Sequence, residues 1–310
     1  MTIIAVDAMG GDHAPQPEVE GAIQAAREYG VGVQLVGPED SLRRHLRRRH
    51  ADSLPIEVVH AGEVIGMEES PVKALRRKPD ASVRVAACQV RDARADGMVS
   101  AGNTGAAMAA VKMELGTLPG VDRPALASVF PTKRGTVAVM VDVGANVDCK
   151  PQQLQQFAIM GEVYYRVMFG VARPRVGLLS IGEEASKGNE VVRETHRRLK
   201  ESPLSFDFVG NVEGRDVYGG DVHVVVCDGF IGNVALKISE GMAEAIVAML
   251  QEVLSSTLTA QVGTVLSRQA YEDFKKRLDY SEYGGAPLLG VRGVCVICHG
   301  RSNANAIKNA

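Results

Sequence analysis

Short apolar runs ending in loops of Gly, Asn and Asp recur along this chain and limit its possible folds more than any other feature. Four stand out. The runs 2–6, 97–99, 136–141 and 222–227 lead into DAMGGD (7–12), SAGNTGA (100–106), DVGAN (142–146) and DGFIGN (228–233), and three of these loops carry an amide side chain. Glycine lets backbone amides approach an anion closely, while Asn and Asp tolerate unusual dihedrals and cap the helix that follows. This is phosphate-site chemistry. In an open parallel sheet, ligands sit beyond the carboxyl ends of the strands, so such loops converge on one crevice if their strands are neighbours.

Further β-branched runs at 33–37, 56–59, 125–129, 175–181, 206–209 and 294–297 alternate with amphipathic segments of helical length. That alternation predicts an α/β fold with a largely parallel sheet flanked by helices. Ser70-Pro71 and Lys150-Pro151 read as helix starts with proline in the first turn, the second opening a helix that runs to residue 169. No linker or internal repeat divides the 310 residues, so a single elaborated domain over 1–310 is expected. Aromatics make up 5% and Trp is absent, which leaves Val, Ile, Leu, Ala and Met to build the core.

A net charge of −2 lacks the basic excess of a nucleic-acid binder. No run reaches the roughly 18 apolar residues of a membrane span, and no secretory signal is read at the N-terminus, so a cytoplasmic protein is expected. Five cysteines, an odd number, in a reducing compartment imply free thiols.

The segment 240–279 reads as a helical hairpin inserted before the last strand. Met242, Ala245, Ile246, Met249, Leu250, Val253 and Leu254 lie at helical spacing, and no charge occurs between Glu252 and Arg268. An uncharged tip with Leu258, Val262, Val265 and Leu266 would expose an apolar patch that packs on a partner subunit or touches a membrane surface. The run Arg43, Arg44, Arg47, Arg48 and Arg49 is either a solvated helix face or a dock for an acidic protein, with Lys275, Lys276 and Arg277 as a rival patch.

Several motifs weaken on inspection. DAMGGD lacks the G-x-G-x-x-G spacing of a dinucleotide site, and GEEASKG (182–188) has its Lys on the wrong side of the Gly for a P-loop. That segment still places Lys187 and Asn189 at a helix start, where an anion is favoured, unless they are a solvated lysine and an ordinary cap. CVICH (295–299) fits c-type haem attachment only by coincidence, since it sits in an apolar strand without an export signal. His13 either contacts a substrate oxygen or bonds to nearby backbone. Cys149 and Cys227 are candidate nucleophiles, though small buried thiols are the commoner case.

Six segments together resemble the PlsX-type phosphate acyltransferases: IAVDAMGGDHAP (4–15), SAGNTGA (100–106), DVGANVDCK (142–150) with Pro151, SIGEEASKGNE (180–190), DGFIGNV (228–234) and HGRSNA (299–304). The resemblance spans the chain. It implies reversible transfer of a fatty acyl group from acyl carrier protein to inorganic phosphate, giving acyl phosphate for phospholipid synthesis. It also implies a homodimer, a Rossmann-like fold akin to phosphotransacetylases and isocitrate dehydrogenases, peripheral membrane association, and a downstream membrane acyltransferase that receives the product. No metal or cofactor is expected.

The chemistry agrees with that activity. Phosphate is already an anionic nucleophile near neutral pH, and a thiolate with a reference pKa of about 8.5 is a tolerable leaving group, so positioning and charge stabilisation suffice. Amides around Gly10, Gly11, Gly102 and Gly105 would hold phosphate, helped by Asn103 and Thr104, with Asp7, Asp12, His13, Ser100 and Gly232 completing the binding loops. Lys187 would counter transition-state charge, Asn146, Asn189 and Asn233 would orient phosphate or the thioester carbonyl, and Asp228 would fix those donors. Leu254, Leu258, Val262, Val265 and Leu266 would meet the membrane or partner. Two other readings fit the same residues: an NAD-linked dehydrogenase of this fold, and a non-catalytic scaffold that binds carrier protein at a membrane.

Overall fold

The computed structural model describes residues 1–310 except Leu204 and Asp279. In chain order it forms β1 (Ile3–Asp7), α1 (Gln16–Glu28), β2 (Gly32–Gly37), α2 (Glu39–Arg48), β3 (Ile56–His60), α3 (Pro71–Arg77), α4 (Ser82–Arg91), β4 (Gly97–Ser100), α5 (Thr104–Glu114) and β5 (Ala125–Pro131). There follow β6 (Val137–Val141), α6 (Pro151–Phe169), β7 (Arg175–Leu179), α7 (Glu190–Glu201), β8 (Asp207–Val212), β9 (Val224–Val226), α8 (Gly229–Ser255), α9 (Leu258–Leu266) and α10 (Arg268–Leu278). The chain ends with β10 (Ala286–Leu289), β11 (Val294–Ile297) and α11 (Ala304–Asn309). The architecture is α/β, with mostly parallel strands flanked by helices.

Contacts divide the chain into two compact units, Met1–Ser128 with Tyr283–Ala310, and Val129–Glu282. In the first unit the strands run β3-β2-β1-β4-β11-β10-β5. The first five are parallel, and β10 lies antiparallel to both β11 and β5. Helix α1 buries Val19, Ala22, Ile23 and Ala26 at spacings of three and four, and these join Leu35 of β2, Leu42 of α2 and Ile307 of α11 in one core. Gly21 permits the contact with α11: a Cβ there would lie 2.6 Å from Cβ of Ile307 and 2.8 Å from the Ala304 carbonyl oxygen.

In the second unit β6-β9-β7-β8 are all parallel. Helix α6 starts at Pro151, as the sequence suggests, and its first turn is closed by the Lys150 N–H donating to Gln153 Oε1 at 2.9 Å. It packs on β6, β7, β9 and α7 and buries Leu154, Phe157 and Ala158, and burial of a side chain like Phe157 contributes about 2 kcal/mol. Ser70 stands at the N-cap of α3 in extended backbone, but its hydroxyl makes no capping bond.

The segment 240–279 ends on Asp279, outside the described residues. Before it, the expected hairpin contains three helices rather than two. The uncharged tip is itself helical: α9 starts at a Thr257 cap whose Oγ1 accepts from Ala260 N–H at 3.2 Å, and its axis turns 116° from that of α8. Leu258 and Leu266 are 80% and 84% exposed, and Val262 and Val265 are exposed with them, while Leu254 on α8 is half-buried. Among the described residues no single helix is long and apolar enough to cross a membrane.

Because Gly21 faces backbone and a β-branched side chain rather than a flexible tip, Gly21→Val is expected to destabilise the protein by about 1–3 kcal/mol through overpacking. A urea titration checks this; an unchanged midpoint would mean that α11 can move aside freely.

Candidate active site

In the first unit, β1, β4 and β11 lie side by side with their carboxyl ends level, since Asp7 pairs with Ser100 and Ser100 with Ile297 in the parallel register. The loops after them therefore meet. Asp7 is buried at the end of β1, and its Oδ2 accepts from Ser100 Oγ at 2.7 Å, while Ser100 Oγ accepts from Gly102 N–H at 3.2 Å. The two glycine loops touch through backbone: a Cβ on Gly10 would fall 2.7 Å from both N and Cα of Gly102. The third loop joins where Asp12 N–H donates to the Gly300 carbonyl oxygen at 2.8 Å.

Not every amide in these loops is available to a ligand. The N–H of Met9 donates to Asp7 Oδ1, Gly11 hydrogen-bonds the Glu18 carboxyl, and Asp12 is committed to Gly300. Gly10 N–H has no such acceptor among the described residues. Thr104 and Gly105, the first two residues of α5, carry N–H groups that a helix cannot satisfy itself, at the end of the helix where an anion is favoured. Asn103 is the cap of that helix. Its Oδ1 accepts from Ala106 N–H at 3.0 Å and its Nδ2 donates to the Met67 carbonyl at 2.8 Å, so both ends of the amide hold structure together. His13 is exposed, and its carbonyl accepts from Gln16 N–H.

The second unit repeats the device. Strands β6, β9 and β7 are parallel neighbours, and Asp142, directly after β6, is fully buried. Its Oδ1 accepts from Ala145 N–H at 2.9 Å and Gly144 N–H at 3.2 Å; its Oδ2 accepts from Asn146 N–H at 2.7 Å and Asn146 Nδ2 at 2.9 Å. The loop after β9 closes on this one, with Gly229 N–H donating to the Asn146 carbonyl at 2.7 Å. Gly232 has no alternative here, because a Cβ would lie 1.9 Å from the Asp142 carbonyl oxygen. Asp228 caps α8 by accepting from Ile231 N–H at 2.9 Å, and Asn233 lies beside Gly144.

The loop after β7 carries Lys187, which is exposed, with its aliphatic stem over Gly182 and no ion pair to its ammonium among the described residues. Asn189 caps α7 by accepting from Val192 N–H at 2.9 Å. At the base of this loop the Ser180 hydroxyl is buried without a partner among the described residues. A free cation beside a helix N-terminus is the arrangement that attracts an anion.

The cysteines are poorly placed for nucleophilic work. Burial, with Asp228 and Asp142 nearby, pushes the Cys227 thiol well up, and its Sγ donates to the Asp142 carbonyl at 3.4 Å. Cys149 is half-buried and donates to the Asn146 carbonyl at 3.4 Å. Cys295 and Cys298 are core residues whose thiols burial pushes up to about 12, so the CVICH pattern belongs to strand packing. Among the described residues no group of three or more His, Cys, Asp or Glu could hold a metal ion.

The structure thus gathers Asp7, Gly10, Gly11, Asp12, His13, Ser100, Gly102, Asn103, Thr104 and Gly105 in the first unit. It places Asn146, Lys187, Asn189, Asp228, Gly232 and Asn233 in the second. Two residues escaped the sequence reading. Asp142 organises its loop although only the amide of DVGAN drew notice. Glu18 is buried on α1 beneath Gly11, and the available signal was an acid four and eight residues from Ala22 and Ala26 on an apolar face. Burial of Glu18, reinforced by the charge of Asp7, raises its carboxyl to about 7. Asp7 is raised by burial too, against donors from Ser82, Ser100 and Met9.

Comparison with known proteins adds relatives over the whole length. The family described as fatty acid synthesis protein matches residues 2–310. The phosphate acyltransferase of Koribacter versatilis is 62% identical, with 99% of this chain and 87% of that protein covered. That of Geobacter sulfurreducens is 56% identical over 99% and 88%. Among solved structures, a phosphotransacetylase from Streptococcus pyogenes superposes with a TM-score of 0.67 at 16% identity, covering 99% of this chain and 91% of that one. A 4-hydroxythreonine-4-phosphate dehydrogenase from Klebsiella pneumoniae gives 0.52 at 12% identity, covering 99% and 95%. At such identities the likeness is one of fold.

The raised Glu18 carboxyl means that the folded protein binds this proton more tightly than the unfolded chain does. Its contribution to stability is full below about pH 4.5 and is lost as pH rises through about 7. Glu18→Gln is therefore expected to be more stable than wild type near pH 8, by on the order of 3 kcal/mol, and no different near pH 4. Denaturant titrations at both pH values check this; an equal change at both would remove the electrostatic cause.

Proposed function

The chain belongs to the fatty acid synthesis protein family of phosphate acyltransferases, and we propose that it moves a fatty acyl group from acyl carrier protein to inorganic phosphate, forming acyl phosphate for phospholipid synthesis. The observation that carries this reading is the 62% identity, over 99% of the chain, to a phosphate acyltransferase.

The geometry supplies parts suited to the reaction. The N–H groups of Gly10, in the loop after β1, and of Thr104 and Gly105, at the start of α5, suit phosphate, with Ser100 and Asp7 holding the two glycine loops together. Asn103, Asn146 and Asn189 act by fixing loops and helix starts, as their bonds suggest, and Asn233 and Gly232 let the loops after β6 and β9 pack closely. Lys187, whose ammonium makes no ion pair among the described residues, would counter developing negative charge. A phosphate oxygen attacks the thioester carbonyl carbon; the tetrahedral oxyanion collapses, the C–S bond breaks, and the phosphate proton ends on the departing sulfur. No acyl-enzyme is required, in keeping with a Cys227 thiol that is buried and far from ionising.

The exposed apolar face of α9 supports a homodimer contact or a shallow peripheral contact with the cytoplasmic face of a membrane, where a membrane acyltransferase would take up the product. For the carrier protein, α2 offers Arg44, Arg47 and Arg48, which are exposed and carry no ion pair among the described residues.

The test is thioester loss from acyl-acyl carrier protein with and without inorganic phosphate, the product being trapped by hydroxylamine. Phosphate-dependent hydroxamate is expected, and binding without turnover would favour the scaffold reading. Lys187→Ala is expected to lower kcat about a hundredfold in that assay, and a change of less than about threefold would remove its electrostatic role. Replacing Leu258 and Val262 by Asp is expected to abolish liposome sedimentation while leaving turnover of soluble substrate unchanged; retained sedimentation would place the membrane contact elsewhere.

A further inference from the structure

The least expected feature of the first unit is a buried acid under the loop that should receive an anion. Glu18, in the first turn of α1, is 1% exposed. Its Oε1 fills the space beside Gly11, where a Cβ would lie 2.2 Å away, and its Oε2 has no hydrogen-bond partner among the described residues. The backbone of Gly11, in the middle of DAMGGD, hydrogen-bonds this carboxyl. No ion pair reaches Glu18 among the described residues.

The charged and titratable groups around it do not neutralise it. Asp7 of β1 is an acid that already has Ser100, Ser82 and Met9 as donors. Cys298, after β11, is a neutral thiol. Asp12 of the loop adds a further negative charge beside Gly300. On α1 itself, Glu20 is taken by Arg49 beyond α2, and Glu28 by Lys308 of α11. His45 of α2 lies next to that Arg49. Glu18 is left with two backbone amides, its own and that of Gly11, one oxygen bare among the described residues, and an acidic neighbour.

We propose that Glu18 is a positioning residue that sets phosphate affinity by its protonation: neutral, it lets the first glycine loop accept an anion, and ionised, it binds the Gly11 amide to itself and opposes one. The proposal rests on the reading that this loop and the start of α5 hold phosphate. An ionised carboxylate strengthens its bond to Gly11 N–H and adds like charge in a buried site, whereas a carboxylic acid does neither. The raised carboxyl brings the change into the neutral range, with half of the molecules protonated at about pH 7. By linkage, phosphate binding then takes up a proton above that pH.

The experiment is the KM for inorganic phosphate between about pH 6 and pH 8.5, at saturating acyl donor, for wild type, Glu18→Gln and Thr104→Pro. Phosphate ionises alike for all three, so the ratio of wild-type to Glu18→Gln KM isolates Glu18. Affinity scales with the competent fraction, so this ratio is expected to rise from near one at pH 6 to about tenfold at pH 8, with the kcat ratio flat. A ratio that does not change with pH overturns the proposal. Thr104→Pro deletes one free N–H at the first helical position, where proline is tolerated, and tests the underlying reading. If it leaves KM for phosphate unchanged, phosphate binding at this loop is wrong and the proposal falls with it. If it raises KM while the Glu18 ratio stays flat, only the role of Glu18 falls. Should Glu18→Gln fold poorly, calorimetry of phosphate binding to wild type near pH 8.5, in buffers of different ionisation enthalpy, decides instead: uptake close to one proton supports the proposal and none overturns it.

Discussion

A buried carboxylate at the carboxyl end of a strand is the interaction on which each unit depends. Asp7 ties the loop after β1 to Ser100, and Asp142 gathers three backbone N–H groups and the Asn146 amide onto its two oxygens. Leaving such an acid in the interior is costly unless donors surround it, and glycine-rich backbone supplies donors without bulk. The glycines are consequences of the acids. Gly10 meets the Gly102 backbone and Gly232 meets the Asp142 carbonyl at distances no side chain would allow.

This economy divides the polar groups into those spent on structure and those left for a ligand. Asn103, Asn146 and Asn189 are spent, as helix cap or loop brace. The N–H groups at the start of α5 and the ammonium of Lys187 remain. An acyl transfer to phosphate asks for little more, because the nucleophile brings its own charge and the leaving thiolate needs no strong acid. In Glu18 one carboxyl oxygen is buried without a partner among the described residues, and burial raises its carboxyl to about 7.

The alternation of strand and helix was legible because period and punctuation are local. The runs at 2–6, 33–37, 56–59 and 97–99 each became a strand within a residue or so, and the later ones through 294–297 within about three residues. The strand β10 was missed. It is four residues long, contains Pro287 and follows Gly284 and Gly285, a pattern that reads as a turn until antiparallel neighbours on both sides stabilise it. The uncharged tip was visible as composition, but its folding as α9 depended on the Thr257 cap, a signal that competes with the Ser and Thr around it.

By itself the sequence determined where strands and helices alternate, which loops are rich in glycine, and which segment lacks charge, because these follow from residue chemistry and short-range periodicity. Tertiary structure decided how each polar group is used. Asn103 looks like a ligand group in SAGNTGA and becomes a cap because Met67 and Ala106 are brought to it. Glu18 looks like an ordinary first-turn acid and becomes a buried titrating group because Gly11 of the first loop and Cys298, after β11, are brought against it. Burial and hydrogen-bond partners come from residues far apart in the chain, and only packing assigns them.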